Sequence, residues 1–177
     1  MSGPTLNVCF SNSTYFDSSN GIQSINVISA SAKFNNTNIS IGIGNDSYCK
    51  GGEIQSNNPF FEGKIKQNIN DNLNAQLRFR ESGGTRQYRV TFGGSYAFDK
   101  QNSIYCAAHA TAKDKNDNWS YNTGAWIGYT HTFSNGISTS AELQQNIPLN
   151  GTAPNLTSFN DGNKSINIFV TIPFKAF

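Results

Sequence analysis

The stretch QYRVTFGGSYAF, residues 87–98, alternates between two kinds of side chain. One face carries mostly large apolar residues: Tyr88, Val90, Phe92, Gly94, Tyr96 and Phe98. The other face carries smaller or polar residues: Gln87, Arg89, Thr91, Gly93, Ser95 and Ala97. Successive side chains of a β-strand point to opposite sides, so a period of two predicts a strand with one apolar and one polar face. The run is about twice as long as a typical strand of a soluble protein.

Similar alternation recurs along the rest of the chain. The further candidate strands are residues 5–16, 21–34, 39–48, 61–69, 73–80, 103–113, 121–133, 137–147 and 165–177. Most are close to the roughly 9–11 residues that a tilted strand needs to cross a bilayer. We therefore expect an all-β fold of about ten antiparallel strands, or eight if the first hairpin is not part of the wall.

The connectors between these runs differ in length. Short polar connectors fall near residues 36, 71, 100 and 135, and between them we expect longer loops: CKGGEIQSNNPF, ESGGT, DKNDNW and PLNGTAPNLTSFNDGN. Short turns at one end and longer loops at the other are typical of transmembrane barrels. No linker interrupts the pattern, so we expect a single domain over residues 1–177. The longest loop, 149–163, is the best candidate for recognition, because loops on a rigid scaffold carry variable function.

Aromatic residues recur just before the short connectors. Aromatic side chains are favoured at the interface between hydrocarbon and water. The sequence therefore predicts a ring of lipid-interface aromatics formed by Phe34, Tyr96, Phe98, Tyr129, Phe133 and Phe174.

Units such as VTFGGSYAFDKQNSIYCAAHATA and AWIGYTHTFSNGISTSAELQQ, together with the final Phe177, give the chain a recognisable pattern. Over residues 21–177 it resembles the bacterial outer-membrane β-barrel proteins. The resemblance implies a small antiparallel up-and-down transmembrane β-barrel in the lipid bilayer of the outer membrane. The alternative is a soluble, secreted β-sandwich, such as a lectin-like binding module or a virion protein, in which the same apolar faces would form an internal core.

The polar faces of three consecutive strands contain a basic cluster: Lys64, Lys66, Arg78, Arg80 and Arg89. Matching these faces places Lys64, Arg78 and Arg89 on one level, and Glu62, Arg80 and Gln87 on the next. Like charges on one level repel unless water or acids intervene. We therefore expect either a wet, basic lumen that attracts anions, or a salt-bridge plug closed by Glu62, Glu81 and Glu142. Lumen acids are thus Glu62 and Glu142, while Arg86 is expected at the membrane edge.

Several functional classes are disfavoured by composition. Charged residues make up 14% of the chain and the net charge is +2, which argues against nucleic-acid binding. Cys9, Cys49 and Cys106 lack metal-site spacing, so we expect no metal or cofactor, with a Cys9–Cys49 bridge as an alternative in an oxidising compartment. The start of the chain lacks the features of a signal peptide, so we expect a mature form or another export route.

Catalysis is also not expected. His109 and His131 are the only histidines, and no acid or nucleophile has a fixed relation to either. A hydrolase or acyltransferase acting in the lumen or at the rim is the alternative. The remaining expectation is a structural, adhesive or small-pore barrel, or a barrel subunit of a larger envelope complex.

Overall fold

A computed structural model describes residues 5–17, 21–149 and 164–174. These residues form ten antiparallel strands. The strands are β1 (Thr5–Asp17), β2 (Gly21–Phe34), β3 (Thr37–Lys50), β4 (Glu53–Asn68), β5 (Leu73–Ser82), β6 (Thr85–Ala97), β7 (Asn102–Lys115), β8 (Asn118–Thr132), β9 (Ser138–Pro148) and β10 (Lys164–Phe174). Among the described residues no helix is long and apolar enough to cross a membrane.

Each strand pairs with its neighbour in sequence, and β1 also pairs with β10, so the sheet closes into a barrel. Closure leaves no edge strand with unpaired backbone groups, which is the condition for a sheet to lie in hydrocarbon. The prediction of an up-and-down barrel with ten strands is confirmed, and the two-sheet sandwich is wrong.

The barrel has its apolar side chains outside. Phe92 is 61% exposed, Ile127 57% and Ile168 45% on the outer face, whereas Glu62 is 2% exposed and Asn167 is fully buried inside. A soluble barrel sorts its side chains in the opposite way, because its apolar residues must leave water. The outer surface is therefore suited to lipid.

The two ends of the barrel are closed by different connectors. The end that contains Thr5 and Phe174, called the terminal end, also contains the four short connectors after β2, β4, β6 and β8. At the opposite, distal end, the expected loops after β3, β5 and β7 are wrong, because the strands continue through them to two-residue turns at 51–52, 83–84 and 116–117. All six turn residues have positive φ, from 52° to 84°. Two consecutive positive φ values match the strand twist of a tight hairpin, so Gly-Gly and Asn-Asp suffice where longer loops were expected.

Two regions singled out in the sequence lie outside the described residues: positions 150–163 of the 149–163 connector, and Phe177. The three cysteines are free. Cys9 and Cys49 lie on β1 and β3, which are separated by β2, so the alternative Cys9–Cys49 bridge is wrong.

Candidate functional site: the barrel lumen

The inner faces of β4, β5 and β6 hold basic side chains in two adjacent layers. In one layer the register places Lys64 beside Arg78 and Arg78 beside Arg89. In the next layer towards the distal end, Glu62 lies beside Arg80, and Arg80 beside Gln87. The structure thus brings together the residues that the sequence assigned to each level.

Glu62 neutralises one part of this cluster. Its side chain accepts a hydrogen bond from Arg80 Nη2 at 2.8 Å and forms an ion pair with Lys64. The Arg80 guanidinium also lies 4.0 Å from the centre of the Phe60 ring, a cation–π contact. A carboxylate that is 2% exposed requires such partners, because an unpaired buried charge is strongly destabilising.

Arg78 and Arg89 keep their charge without a carboxylate partner. Within the described segments neither forms an ion pair. Arg78 Nη2 donates to Gln87 Oε1, and Arg89 Nε donates to Thr111 Oγ1 at 2.9 Å. Both partners are neutral, so two positive charges remain to act on an anion in the lumen. Lys66 is exposed, two residues nearer the terminal end than Lys64.

The acids do not form the three-residue plug that the sequence suggested. Glu142 is buried inside, but it accepts hydrogen bonds from Tyr105 at 3.1 Å and from Asn167 at 2.7 Å. Glu81 lies on the outer face as the register partner of Arg86. Arg86 is 58% exposed with Asp114 at 3.9 Å, which places it outside the lumen near the distal end. Of the three acids only Glu62 makes ion pairs with the basic cluster.

Described residues of the inner wall line two adjoining cavities. The distal chamber has a volume of about 550 Å³ and the terminal chamber about 300 Å³. Residues that line both chambers mark the layer between them: Tyr15, Ile25, Arg78, Arg80, Arg89 and Gln144. The two chambers therefore adjoin in a layer that contains the three arginines, Tyr15 and Ile25.

Cations outnumber carboxylates in the lining of the two chambers. The cations are Lys64, Arg78, Arg80, Arg89, Lys113 and Lys164, and the carboxylates are Asp46, Glu62 and Glu142. Six cations against three carboxylates give a formal charge of +3 for this described lining. Sequence reasoning missed Lys113, although it shares the parity of His109 and Thr111 on β7.

The wall opposite the arginines is partly apolar, which the sequence analysis also missed. Ile25, Val27 and Phe60 are buried inside the barrel, and Tyr15 packs against them. Tyr15 meets Phe169 edge-on, with ring centroids 5.8 Å apart. The lumen therefore has a basic side on β4, β5 and β6 and an apolar region on β1, β2 and β10, with Phe60 of β4 at the boundary against Arg80.

All six predicted interface aromatics belong to the outer surface at the terminal end. They are exposed by 44–60% of their area. The Tyr129 hydroxyl donates a hydrogen bond to Asn102 Oδ1, so this polar group has a partner while the tyrosine ring faces outward. A second group of aromatic side chains lies near the distal end and was not predicted from the sequence. The Trp119 ring stacks on Tyr88, with ring centroids 6.1 Å apart, and on Tyr121, with ring centroids 6.3 Å apart.

The two histidines have different surroundings. His109 is buried in the lumen with its ring 5.1 Å from that of Trp126. His131 lies at the terminal end, with Nδ1 2.8 Å from Asn102 Oδ1. Among the residues that the structure describes, no group of three or more His, Cys, Asp and Glu side chains is arranged to hold a metal ion.

Comparison with known proteins finds likeness in fold and not in sequence. No protein-family model matches the chain. No curated protein shows significant sequence similarity to it. Solved structures with a similar fold are transmembrane and outer-membrane barrels.

Three of these structures illustrate the range. A de novo designed transmembrane β-barrel is 8% identical, with 95% of each chain covered and a TM-score of 0.48. The KdgM porin is 12% identical, with 96% of this chain and 99% of that one covered and a TM-score of 0.45. A loop-deletion mutant of OmpT, an outer membrane protein of Vibrio cholerae, is 13% identical with a TM-score of 0.42; the match covers 86% of this chain and 54% of that one. This chain thus spans about half the length of the Vibrio protein. Because identities and TM-scores are this low, no residue role is transferred.

Proposed function

We propose that this chain is an integral barrel of the bacterial outer membrane and that its lumen is a narrow passage favouring anions. The membrane placement rests on the outer surface. Along β6 and the following Phe98, the apolar outer face runs from Phe98 to Tyr88, ten residue steps apart. At a rise of about 3.3 Å per residue and a strand tilt of about 40°, ten residues span roughly 25 Å, the height of the apolar band of such barrels.

The anion preference rests on one observation: Arg78 and Arg89 line both chambers and have no carboxylate partner among the described residues. Arg78 Nε also has no hydrogen-bond partner there. In a lumen walled by low-dielectric protein, a surplus of positive charge raises the local concentration of anions. We propose the layer between the chambers, which Tyr15 borders, as the constriction that limits passage to small solutes.

Ion selectivity in planar bilayers tests this proposal. With a salt gradient across the membrane, the reversal potential of the wild-type protein should have the sign of an anion-preferring pore. The double variant Arg78→Gln/Arg89→Gln should move it towards cation preference. The control is Arg86→Gln, which removes one positive charge from the outer face and should leave selectivity unchanged.

A closed structural or adhesive barrel is the second candidate. It is favoured by the Glu62 ion pairs on β4 and β5, which fix Lys64 and Arg80 on the inner wall, and by Tyr15, which borders both chambers. Absence of conductance from protein shown to be folded in the bilayer would support this candidate and refute the passage. We propose no catalytic role for His109, since its ring packs on Trp126 and no carboxylate is paired with it in the described segments.

A further inference from the structure

The outer wall departs from its apolar pattern on β1–β4. On β2 the outer face is apolar only from Phe34 to Ile28. With a rise of about 3.3 Å per residue and a strand tilt of about 40°, this apolar part is about 15 Å tall. The next two outward residues, Asn26 and Ser24, lie at about 20 and 25 Å, within the height that lipid covers on β6.

Neighbouring strands continue this polar region as two adjacent hydrogen-bonded groups, one on β1 and β2 and one on β3 and β4. Asn12 Nδ2 donates to Ser24 Oγ at 3.2 Å and to Asn26 Oδ1 at 2.8 Å. Asn45, the register partner of Asn26, donates to Ser47 at 3.0 Å and also to Asn57. The asparagine patch is therefore defined as Asn12, Ser24, Asn26, Asn45, Ser47 and Asn57.

Apolar residues border the asparagine patch on both sides along the strands. Phe10 and Ile28 flank it towards the terminal end, and Phe16 and Ile22 flank it towards the distal end. Ile28 is 55% exposed, Ile22 44% and Phe16 39%. Amides at such a depth are costly against acyl chains unless all their hydrogen-bonding groups find partners. An asparagine side chain offers two donors and two acceptor sites, more than the contacts within the patch use.

We infer that the asparagine patch binds a second copy of this chain, side by side in the membrane. The patch carries amides and hydroxyls but no charge, so it lacks the groups that attract a charged partner or a phosphate headgroup. Each amide is both donor and acceptor, so the patch is complementary to itself across a two-fold axis. Polar side chains are known to join elements across protein interfaces in lipid.

The shape and size of this wall are consistent with that partner. A hollow of about 660 Å³ adjoins the patch and is lined by Phe10, Asn26, Ile28, Ile43, Asn45 and Phe61, among others. Four strands about 4.8 Å apart over a band about 25 Å tall present roughly 480 Å² of flat wall per copy. Two copies would bury about 960 Å², without the additional area of protruding side chains. This is close to the roughly 1,000 Å² expected of a specific interface. This inference needs the lipid-facing outer wall, but not the anion passage.

The chain provides a cross-linking reporter for this interface. Cys49 lies on the outer face of β3, two residues beyond Ser47 towards the distal end. It is twelve residues from Thr37, which places it about 30 Å above the terminal-end rim and at the water interface. In a two-fold pair joined at the asparagine patch, the two Cys49 thiols should be near each other. A bis-maleimide reagent would join them by adding each thiol across a carbon–carbon double bond, with no oxidant needed.

The experiment uses the full chain, purified and reconstituted in lipid vesicles at low protein density. In the Cys9→Ser/Cys106→Ser background, Cys49 should give cross-linked dimer. The matched control moves the thiol to the far side: Cys49→Ser with Tyr121→Cys on β8, also twelve residues from the terminal-end aromatic Phe133. That control should give little dimer.

A second pair of changes removes the proposed contact and keeps the fold. Asn26→Val/Asn45→Val places apolar residues on a lipid-facing strand, so the folded barrel should be retained, as heat-dependent gel mobility can show. The dimer yield through Cys49 should fall roughly tenfold or more. Equal yields from Cys49 and from Tyr121→Cys, or a Cys49 yield that the valine changes leave untouched in folded protein, would overturn the inference.

Discussion

Arg80 Nη2 lies 2.8 Å from Glu62 Oε2, across one register pair of the inner wall. Glu62 also pairs with Lys64, so one carboxylate serves two of the five predicted basic residues. The remaining arginines of the two layers bond to neutral groups. This division gives the lumen both a fixed structural ion pair and free positive charge.

Removal of the shared carboxylate should weaken the barrel. Glu62→Gln leaves Arg80 and Lys64 without a counter-charge, which we expect to lower the free energy of unfolding by about 3 kcal/mol. This value is at the low end for buried pairs because the Lys64 side chain is 34% exposed. Urea unfolding in lipid vesicles, followed by tryptophan fluorescence, measures the change. Glu142→Gln is the control, since the glutamine oxygen can still accept from Asn167 and its NH2 can donate to the Tyr105 hydroxyl; a loss as large as that of Glu62→Gln would contradict the assignment.

Removal of a large side chain from the layer between the two chambers should raise conductance. Tyr15 borders both chambers from the apolar side. Tyr15→Ala should therefore increase single-channel conductance, because the tyrosine ring no longer occupies the layer between the chambers. Phe16→Ala removes a similar ring from the adjacent residue on the lipid side and should leave conductance unchanged. Equal conductance of the Tyr15 variant and the wild type would place the constriction elsewhere.

The two-residue turn at 83–84 should depend on glycine. Gly84 has a φ of +76°, which costs a residue with a Cβ about 1–2 kcal/mol. Gly84→Ala should lower the free energy of unfolding by about that amount. The control, Gly63→Ala, lies within β4, where an added Cβ meets no atom within 4 Å. It should be neutral or slightly stabilising, because alanine reduces the freedom of the unfolded chain.

The β6–β7 turn should be sensitive to acid. Hydrogen bonds from the Asn102 side chain and from the backbone amides of Gln101 and Asn102 lower the pKa of Asp99 below its ordinary value. A lowered folded-state pKa means that this stabilisation is fully present above about pH 3.9, the unfolded value, and is lost as the pH falls through the folded pKa. Carbon-13 NMR titration of the carboxyl group should show the lowered pKa. Asn102→Ala should bring the pKa of Asp99 back towards 3.9. An unchanged pKa in this variant would contradict a contribution from the Asn102 side chain.

The sequence was informative wherever apolar and polar residues separate cleanly. On β5, β6 and the second half of the chain, alternation located each strand and its outer face. The same parity rule aligned Lys64 with Arg78 and Arg89, because hairpin register follows from the turn between two strands.

The first four strands were harder because both of their faces are mixed. Ile25, Val27 and Phe60 point inward, whereas Asn12, Asn26 and Asn45 point outward. Neither the apolar side of the lumen nor the asparagine patch could be assigned from alternation alone. The distal turns could not be predicted for another reason: Gly-Gly and Asn-Asp close two-residue hairpins, and the polar residues around them resemble a loop in the sequence.

The central claim is that the outer face of each strand meets lipid while its inner face meets the lumen. Phe92 and Trp126 test it on two nearby strands, since Phe92 is in register with Ala125 across β7 and faces outward, while Trp126 faces inward. The measurement is the quenching of tryptophan fluorescence by lipids brominated deep in the acyl chain. Quenching should be strong for a tryptophan at position 92, in the variant Phe92→Trp/Trp119→Phe/Trp126→Phe. It should be weak for Trp126 alone in a Trp119→Phe background. Strong quenching of Trp126 with little quenching at position 92 would contradict the account.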